Sequence, residues 1–295
     1  MNSATSEYEH YDEVTIPSAG VPIVLSRYRA AATDPVVIFL PGTMVHPLFY
    51  DSFLCKLAAS GFNVVGVHFL SHGKSPRLKE AFTFDDLLQN VRDAIGYCDE
   101  HYSGNLFLLG SSQGGILATA AADDRRLGGV LVHDTILPEL EETAELLNLP
   151  GWLRPGVKSL LWCLKVLAWL IPRYQVPVNR YLDAERLTLS EALVERYKND
   201  PLSRKSYPLS FIVSLFHADM HVATDGSISC PFVMIAALHD PLFDIDYIRS
   251  VFDRIVAPSK ELMSFDLPYH LLFIEAEEDV LGPIVSKLHS LSSRS

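Results

Sequence analysis

Four cysteines are too few and too scattered to hold this chain together. Cys55, Cys98, Cys163 and Cys230 make no C-x-x-C pair, so neither a disulfide framework nor a zinc site is expected. Positive charge is also scarce. With 24 Lys and Arg against 36 Asp and Glu, the formal net charge is −12, which argues against nucleic acid or an anionic membrane as the main partner. No apolar run is long enough to span a bilayer: the longest, Leu160 to Ile171, is interrupted by Lys165. Residues 1–13 are polar and acidic and lack the apolar centre of a signal peptide, so the cytoplasm is the expected compartment. Internal repeats and low-complexity segments are missing too. What remains, 295 residues at 48% apolar and 20% charged, is an ordinary globular composition with chain enough for one large core or two smaller ones.

One stretch departs from that ordinary background. An apolar run from Asn105 to Leu109 stops at Gly110, and an Ala-rich helix former begins after Gly115. Between them lies Gly110-x-Ser112-x-Gly114, the pattern of a nucleophile elbow. A serine on a sharp strand-to-helix turn has neighbours two residues either side pressed against adjacent elements, where a Cβ has no room. The turn lifts its Oγ clear of the sheet and aims the first N–H groups of the next helix at whatever it attacks. Ser112 is therefore the candidate nucleophile. Ser111 is not, because Leu109 and Gln113 flank it at those offsets.

The rest of the chain supplies the frame. A hairpin is expected from Val14–Pro17 and Val21–Tyr28 around Ser18-Ala19-Gly20. Val36–Leu40, Asn63–Val67 and Gly129–Val132 read as buried strands. Helices are expected over Phe49–Ser60 and from Thr83, where Asp86 completes a capping-box-like start. Such alternation implies parallel βαβ units, with active groups on loops at the strands' carboxyl ends. It breaks near Pro138 and resumes at Pro231, which divides the chain into core residues 1–137, a helical insert 138–230 and core residues 231–295. In the insert Leu153, Val157, Leu160, Leu161, Leu164, Ala168 and Ile171 recur at helical spacing, near Trp152, Trp162 and Trp169, with Arg154, Lys158 and Lys165 opposite. That helix either packs on the domain or caps Ser112 with an apolar underside that takes a hydrocarbon chain. A third reading is peripheral lipid contact through its Trp-rich face. After the insert, Phe232–Leu238 and Glu261–Phe265 read as strands, and Ile245–Ile255 and Ala276–Leu291 as helices.

A serine nucleophile needs a base, and the base needs an orienting acid. His270 follows the last strand and Asp240 the one before it, so the chain order is Ser112, Asp240, His270, that of an α/β-hydrolase. His239 is the competing base, disfavoured because it points away from its neighbour on an extended chain. Asp134, Asp244 and Asp246 are reserve acids. Two oxyanion donors are expected, the backbone N–H groups of Gln113 and Thr43, with Gly42 letting the backbone approach. His46, His68 and His72 are placed on neighbouring loops as rim residues.

At this point the chain resembles the α/β-hydrolase superfamily, and within it the monoacylglycerol lipase and lysophospholipase-like serine hydrolases. The marks are Gly110-Ser111-Ser112-Gln113-Gly114-Gly115, His72-Gly73-Lys74-Ser75, Tyr197-Lys198-Asn199-Asp200-Pro201-Leu202 and Pro268-Tyr269-His270. The resemblance covers nearly the whole chain. Pro41-Gly42 replaces the usual His-Gly, and Pro268-Tyr269-His270 the usual Gly-Gly-His. It implies an α/β-hydrolase fold, with a mostly parallel sheet, helices on both faces and an inserted helical cap. It also implies an ester hydrolase acting on monoacylglycerol, lysophospholipid or similar acyl esters, without cofactor or metal. An acyltransferase or thioesterase would share the triad, and an idle ligand receptor would share the pocket.

Overall fold

A computed structural model describes residues 6, 8–78, 80–140, 143, 157–180, 187, 188 and 190–293, apart from the side chains of 157–162. The chain opens with strands β1 (Tyr11–Ile16) and β2 (Ile23–Tyr28), an antiparallel hairpin whose turn carries Ala19 at φ 46 and Gly20 at φ 83. The first strand starts three residues earlier than the alternation predicts. Tyr11 packs edge-on against Tyr28 at 5.1 Å between ring centroids, and its hydroxyl lies 2.9 Å from Ser26 Oγ. A cross-strand aromatic pair of this kind extends the ladder. Then follow β3 (Val36–Leu40), a 3-10 turn (Pro47–Tyr50), α1 (Asp51–Ala59), β4 (Asn63–His68) and α2 (Phe84–His101). Next come β5 (Leu106–Ser111), α3 (Gln113–Ala120) and β6 (Leu127–His133).

The expected start of α2 is a full capping box. The Thr83 N–H donates to Asp86 Oδ2 at 2.7 Å, and the Asp86 N–H donates back to Thr83 Oγ1 at 3.4 Å. Thr83→Ala should therefore lower stability by about 1 kcal/mol without touching activity, as urea denaturation would measure.

Between β6 and the next core strand the described elements are α4 (Val157–Leu170), β7 (Gln175–Pro177), α5 (Glu191–Asn199), β8 (Ser206–Pro208) and α6 (Leu209–Leu215). β7 and β8 pair antiparallel, and α6 packs between α4 and α2. The core resumes with β9 (Phe232–Ala237), α7 (Ile245–Arg254), β10 (Lys260–Phe265), the single turn α8 (Leu272–Glu275) and α9 (Glu277–Ser292).

Eight strands form one sheet in the order β1-β2-β4-β3-β5-β6-β9-β10, antiparallel at β1/β2 and β2/β4 and parallel elsewhere. Residues of α2, α3 and α7 join the core on one face, and those of α1, α8 and α9 on the other. Being covered on both sides, β3, β4, β5 and β9 are buried along their whole length, which is why they read as continuous apolar runs. Among the described residues no helix is long and apolar enough to cross a membrane.

The insert's apolar helix is open to three readings, of which its described end bears on one. Trp152, Leu153 and Arg154 lie outside the described residues, but Trp169 is 80% exposed, and Val166, Leu167, Leu170 and Ile171 are exposed with it. This end of α4 does not roof Ser112. α6 packs against α4, yet these apolar side chains at its end stay in solvent.

Candidate active site

The elbow forms as its glycines require. Ser112 sits between β5 and α3 at φ 51, ψ −116, a left-handed strain found where a side chain must be held out for use. A Cβ at Gly110 would come within 2.3 Å of Gly114 O, and one at Gly114 within 2.0 Å of Leu40 O. Strand, turn and helix could not approach so closely with any other residue there. Ser111 is buried and turned toward the Tyr50 hydroxyl, 3.3 Å away.

Three strand ends then converge. Ser112 Oγ lies 3.1 Å from His270 Nε2, and His270 Nδ1 lies 2.9 Å from Asp240 Oδ2. With the Nδ1–H tautomer, His270 donates to the carboxylate and accepts from the serine, the arrangement that prepares a base. The other oxygen, Asp240 Oδ1, accepts the N–H groups of Leu242 at 2.7 Å and Phe243 at 2.9 Å. Burial alone would raise the Asp240 carboxyl. The charge and hydrogen bond of His270, helped by His133 and the Phe243 N–H, outweigh it and bring it to about 2.

The competitors are placed elsewhere. His239 is 66% exposed and pairs with Asp266 at 2.9 Å. Asp244 caps α7 by accepting the Asp246 N–H, and Asp246 pairs with Arg249 on the surface. Asp134, by contrast, lies inside the cluster, with Oδ2 3.5 Å from His270 Nδ1.

On the oxyanion side, Gly42 packs against the serine: a Cβ there would lie 3.6 Å from Ser112 Cβ. Thr43 Oγ1 donates to Gln113 Oε1 at 3.1 Å, tying the two expected donor residues together, and the Gln113 N–H opens α3, where helical partners are lacking.

His46, His68 and His72 are not rim residues. All three are buried. His68 lies 2.9 Å from Ser26 Oγ and accepts the Lys74 N–H at 3.1 Å. His72 donates to Leu70 O at 2.7 Å and meets the Tyr207 hydroxyl at 2.8 Å. Burial pushes both well below the usual histidine range, for His72 with help from the Arg204 charge, so both are neutral. His46 contacts Asp200 Oδ2 at 2.7 Å. Burial would raise Asp200, but its hydrogen bonds from His46 and Ser203 hold it well below the usual carboxylate range. His46 and His72 thus fasten the insert to the core, while His68 ties β2 to the loop after β4.

An apolar pocket, partly open to solvent, runs from Ser112 and His270. Its walls are Val45 and Phe49 of the β3–α1 loop, Leu187, and Leu193, Val194 and Tyr197 of α5. The roofing helix is α5, which Arg196 helps to seat by stacking 4.2 Å over the Phe49 ring. The lining holds no carboxylate or thiolate among the described residues.

A family model described as serine aminopeptidase, S33, matches residues 31–277. The chain belongs to that family. This α/β hydrolase is 23% identical to a monoglyceride lipase of Mus musculus over 273 residues, covering 89% of this chain and 84% of the relative. It is 25% identical to the Homo sapiens monoglyceride lipase over 263 residues, covering 85% and 80%. Among solved structures it superposes on the Paleococcus ferrophilus monoacylglycerol lipase with a TM-score of 0.72 at 21% identity, covering 92% of this chain and 99% of that one. For a soluble variant of the Saccharomyces cerevisiae monoglyceride lipase in complex with a substrate analog the TM-score is 0.73 at 14% identity, covering 98% and 97%. The two structural likenesses bear on the fold, and the family hydrolase chemistry rests on the sequence match.

Proposed function

We propose that this hydrolase cleaves acyl esters of medium chain length, of the monoacylglycerol or lysophospholipid kind, with Ser112, His270 and Asp240 as its catalytic triad. Ser112 attacks the ester carbonyl while His270 Nε2 takes its proton. Asp240 holds the imidazole in the right tautomer and stabilises its cation. The N–H groups of Gln113 and Thr43 stabilise the oxyanion. His270 then protonates the leaving alcohol, and water repeats the cycle on the acyl-enzyme.

The observation that carries this reading is an apolar cavity continuous with the serine and its base. A peptide amino terminus would bring a charged amine into a lining that offers no carboxylate among the described residues. An acyl chain fits it without that cost. Each buried methylene contributes about 0.8 kcal/mol, so four more carbons strengthen binding by roughly two orders of magnitude. The test is a series of p-nitrophenyl esters from acetyl to palmitoyl, beside a monoacylglycerol and a lysophospholipid. We expect kcat/KM to rise from acetyl to a maximum near about eight to twelve carbons. Leu193→Ala, in the wall of the cavity, should erode that gain and spare the acetyl ester. A flat or falling profile would make this a small-ester hydrolase instead. Adding glycerol as a competing acceptor separates hydrolysis from acyl transfer, and steady turnover after the first burst of alcohol excludes an idle receptor.

A further inference from the structure

Asp134 has no part in the mechanism above, yet it is as close to the centre as most residues that do. It follows β6 directly, at φ 60, and its side chain is 1% exposed. β6 and β9 are parallel neighbours, and the groups just past their ends, Asp134 and Asp240, reach the same histidine nitrogen. Asp240 Oδ2 lies 2.9 Å from His270 Nδ1 and Asp134 Oδ2 lies 3.5 Å from it. On the other side, His133 Nε2 lies 3.1 Å from Asp134 Oδ2 and 4.0 Å from Asp240 Oδ2. The four groups lie within 4.8 Å of one another. The backbone of Asp134 is pinned as well, since a Cβ on Gly115 of α3 would come within 2.1 Å of its carbonyl oxygen.

We propose that Asp134 is a second positioning carboxyl for His270, protonated while Asp240 carries the charge and able to take over as the charged partner of Nδ1 when Asp240 cannot. The inference rests on the triad reading above.

Two carboxylates this close in a dry site do not both ionise. The division of labour follows from their partners. Asp240 accepts hydrogen bonds at both oxygens, whereas neither oxygen of Asp134 has a hydrogen bond of good geometry. A buried carboxylate so poorly served is costly, and a neutral carboxyl much less so. Burial and the charge of Asp240 both push Asp134 well above the usual carboxylate range. His133 supplies no balancing cation, because burial and the nearby His270 push it down to about 3. The titratable groups that face Asp134 are His133 on β6, Asp240 after β9 and His270 after β10. α3 brings only backbone there and has no titratable residue.

The protons balance simply. In the native enzyme one proton sits on Asp134, and the Nδ1–H of His270 donates to Asp240. With Asp240 replaced by asparagine, Asp134 releases its proton to solvent and its carboxylate accepts the Nδ1–H, after the 3.5 Å contact closes by a few tenths of an ångström.

The test compares pH profiles of kcat/KM for the native enzyme, Asp240→Asn, Asp134→Asn and the double variant, with Ser112→Ala and His270→Ala as the floor. A triad acid without a substitute costs on the order of 10⁴-fold when made an amide. Here Asp240→Asn should cost only about 10²-fold at its best pH, on the same scale. A carboxyl with a raised pKa gains its charge only as pH climbs through that value, so the acid limb of Asp240→Asn should move to higher pH. Asp134→Asn should cost roughly tenfold more in the Asp240→Asn background than alone, because the two groups act as one unit. Asparagine tolerates the positive φ at this position, so the fold is expected to survive. Activity of Asp240→Asn on the His270→Ala floor at every pH would overturn the proposal, as would equal costs of Asp134→Asn in both backgrounds. Full activity in Ser112→Ala would instead overturn the triad reading itself.

Discussion

Ser112→Ala is expected to lower kcat by roughly 10⁴-fold or more, since the members of a triad act as a unit. The change removes one oxygen and little else. The Ser112 hydroxyl meets His270 Nε2 at 3.1 Å, while the turn itself is held by backbone: Ser112 N–H donates to His133 O at 2.8 Å, and Gly115 N–H donates to Ser112 O at 2.7 Å. Alanine keeps those bonds and the strained φ, so the melting temperature should stay within a few degrees of the native value. A fluorophosphonate should label Ser112 in the native protein and nothing in the variant. Labelling that moved to Ser111 would show that the wrong serine has been assigned.

His270→Ala should be about as damaging. Without a base the serine hydroxyl is a poor nucleophile, and without an acid the alcohol leaves slowly. The loss should not add to that of Ser112→Ala: the double variant should be no slower than either single one. His239→Ala is the control. Its ring is mostly in solvent against Asp266, so its removal should leave kcat/KM within about twofold, as surface changes usually do. A greater loss in His239→Ala than in His270→Ala would reassign the base.

Much of this site was legible because its geometry is local. The elbow needs small residues two positions either side of the serine, and a strand buried on both faces must be an unbroken apolar run such as Val36–Leu40. The order Ser112, Asp240, His270 at three strand ends follows once those strands are read as parallel members of one sheet. What escaped was long-range. His46 and Asp200 are 154 residues apart in sequence, and no local pattern distinguishes a buried, paired histidine from one on a rim. Which helix roofs the cavity stayed open for a different reason. α4 is the more apolar helix and carries Trp162 and Trp169, whereas α5 is mostly polar and lines the cavity with Leu193, Val194 and Tyr197. Hydrophobicity reports what a helix could bury and leaves open what it lies against. Asp134 was visible as a reserve acid, but its distance from His270 depends on β6 lying beside β9.

The joint between insert and core sets a limit on how this enzyme can be re-engineered. The Tyr207 hydroxyl receives the Met44 N–H at 2.8 Å, Arg204 N–H donates to Met44 O at 2.7 Å, and Asp200 holds His46. Met44 itself stands at φ 74, directly after Thr43. The returning leg of the insert thus braces the loop that passes beside Ser112. Trimming the insert away to obtain a smaller, open esterase would remove a buttress along with the roof. A graft from another hydrolase would have to bring its own equivalents of residues 200–207, matched to the recipient's loop, or inherit a serine whose surroundings have lost their shape.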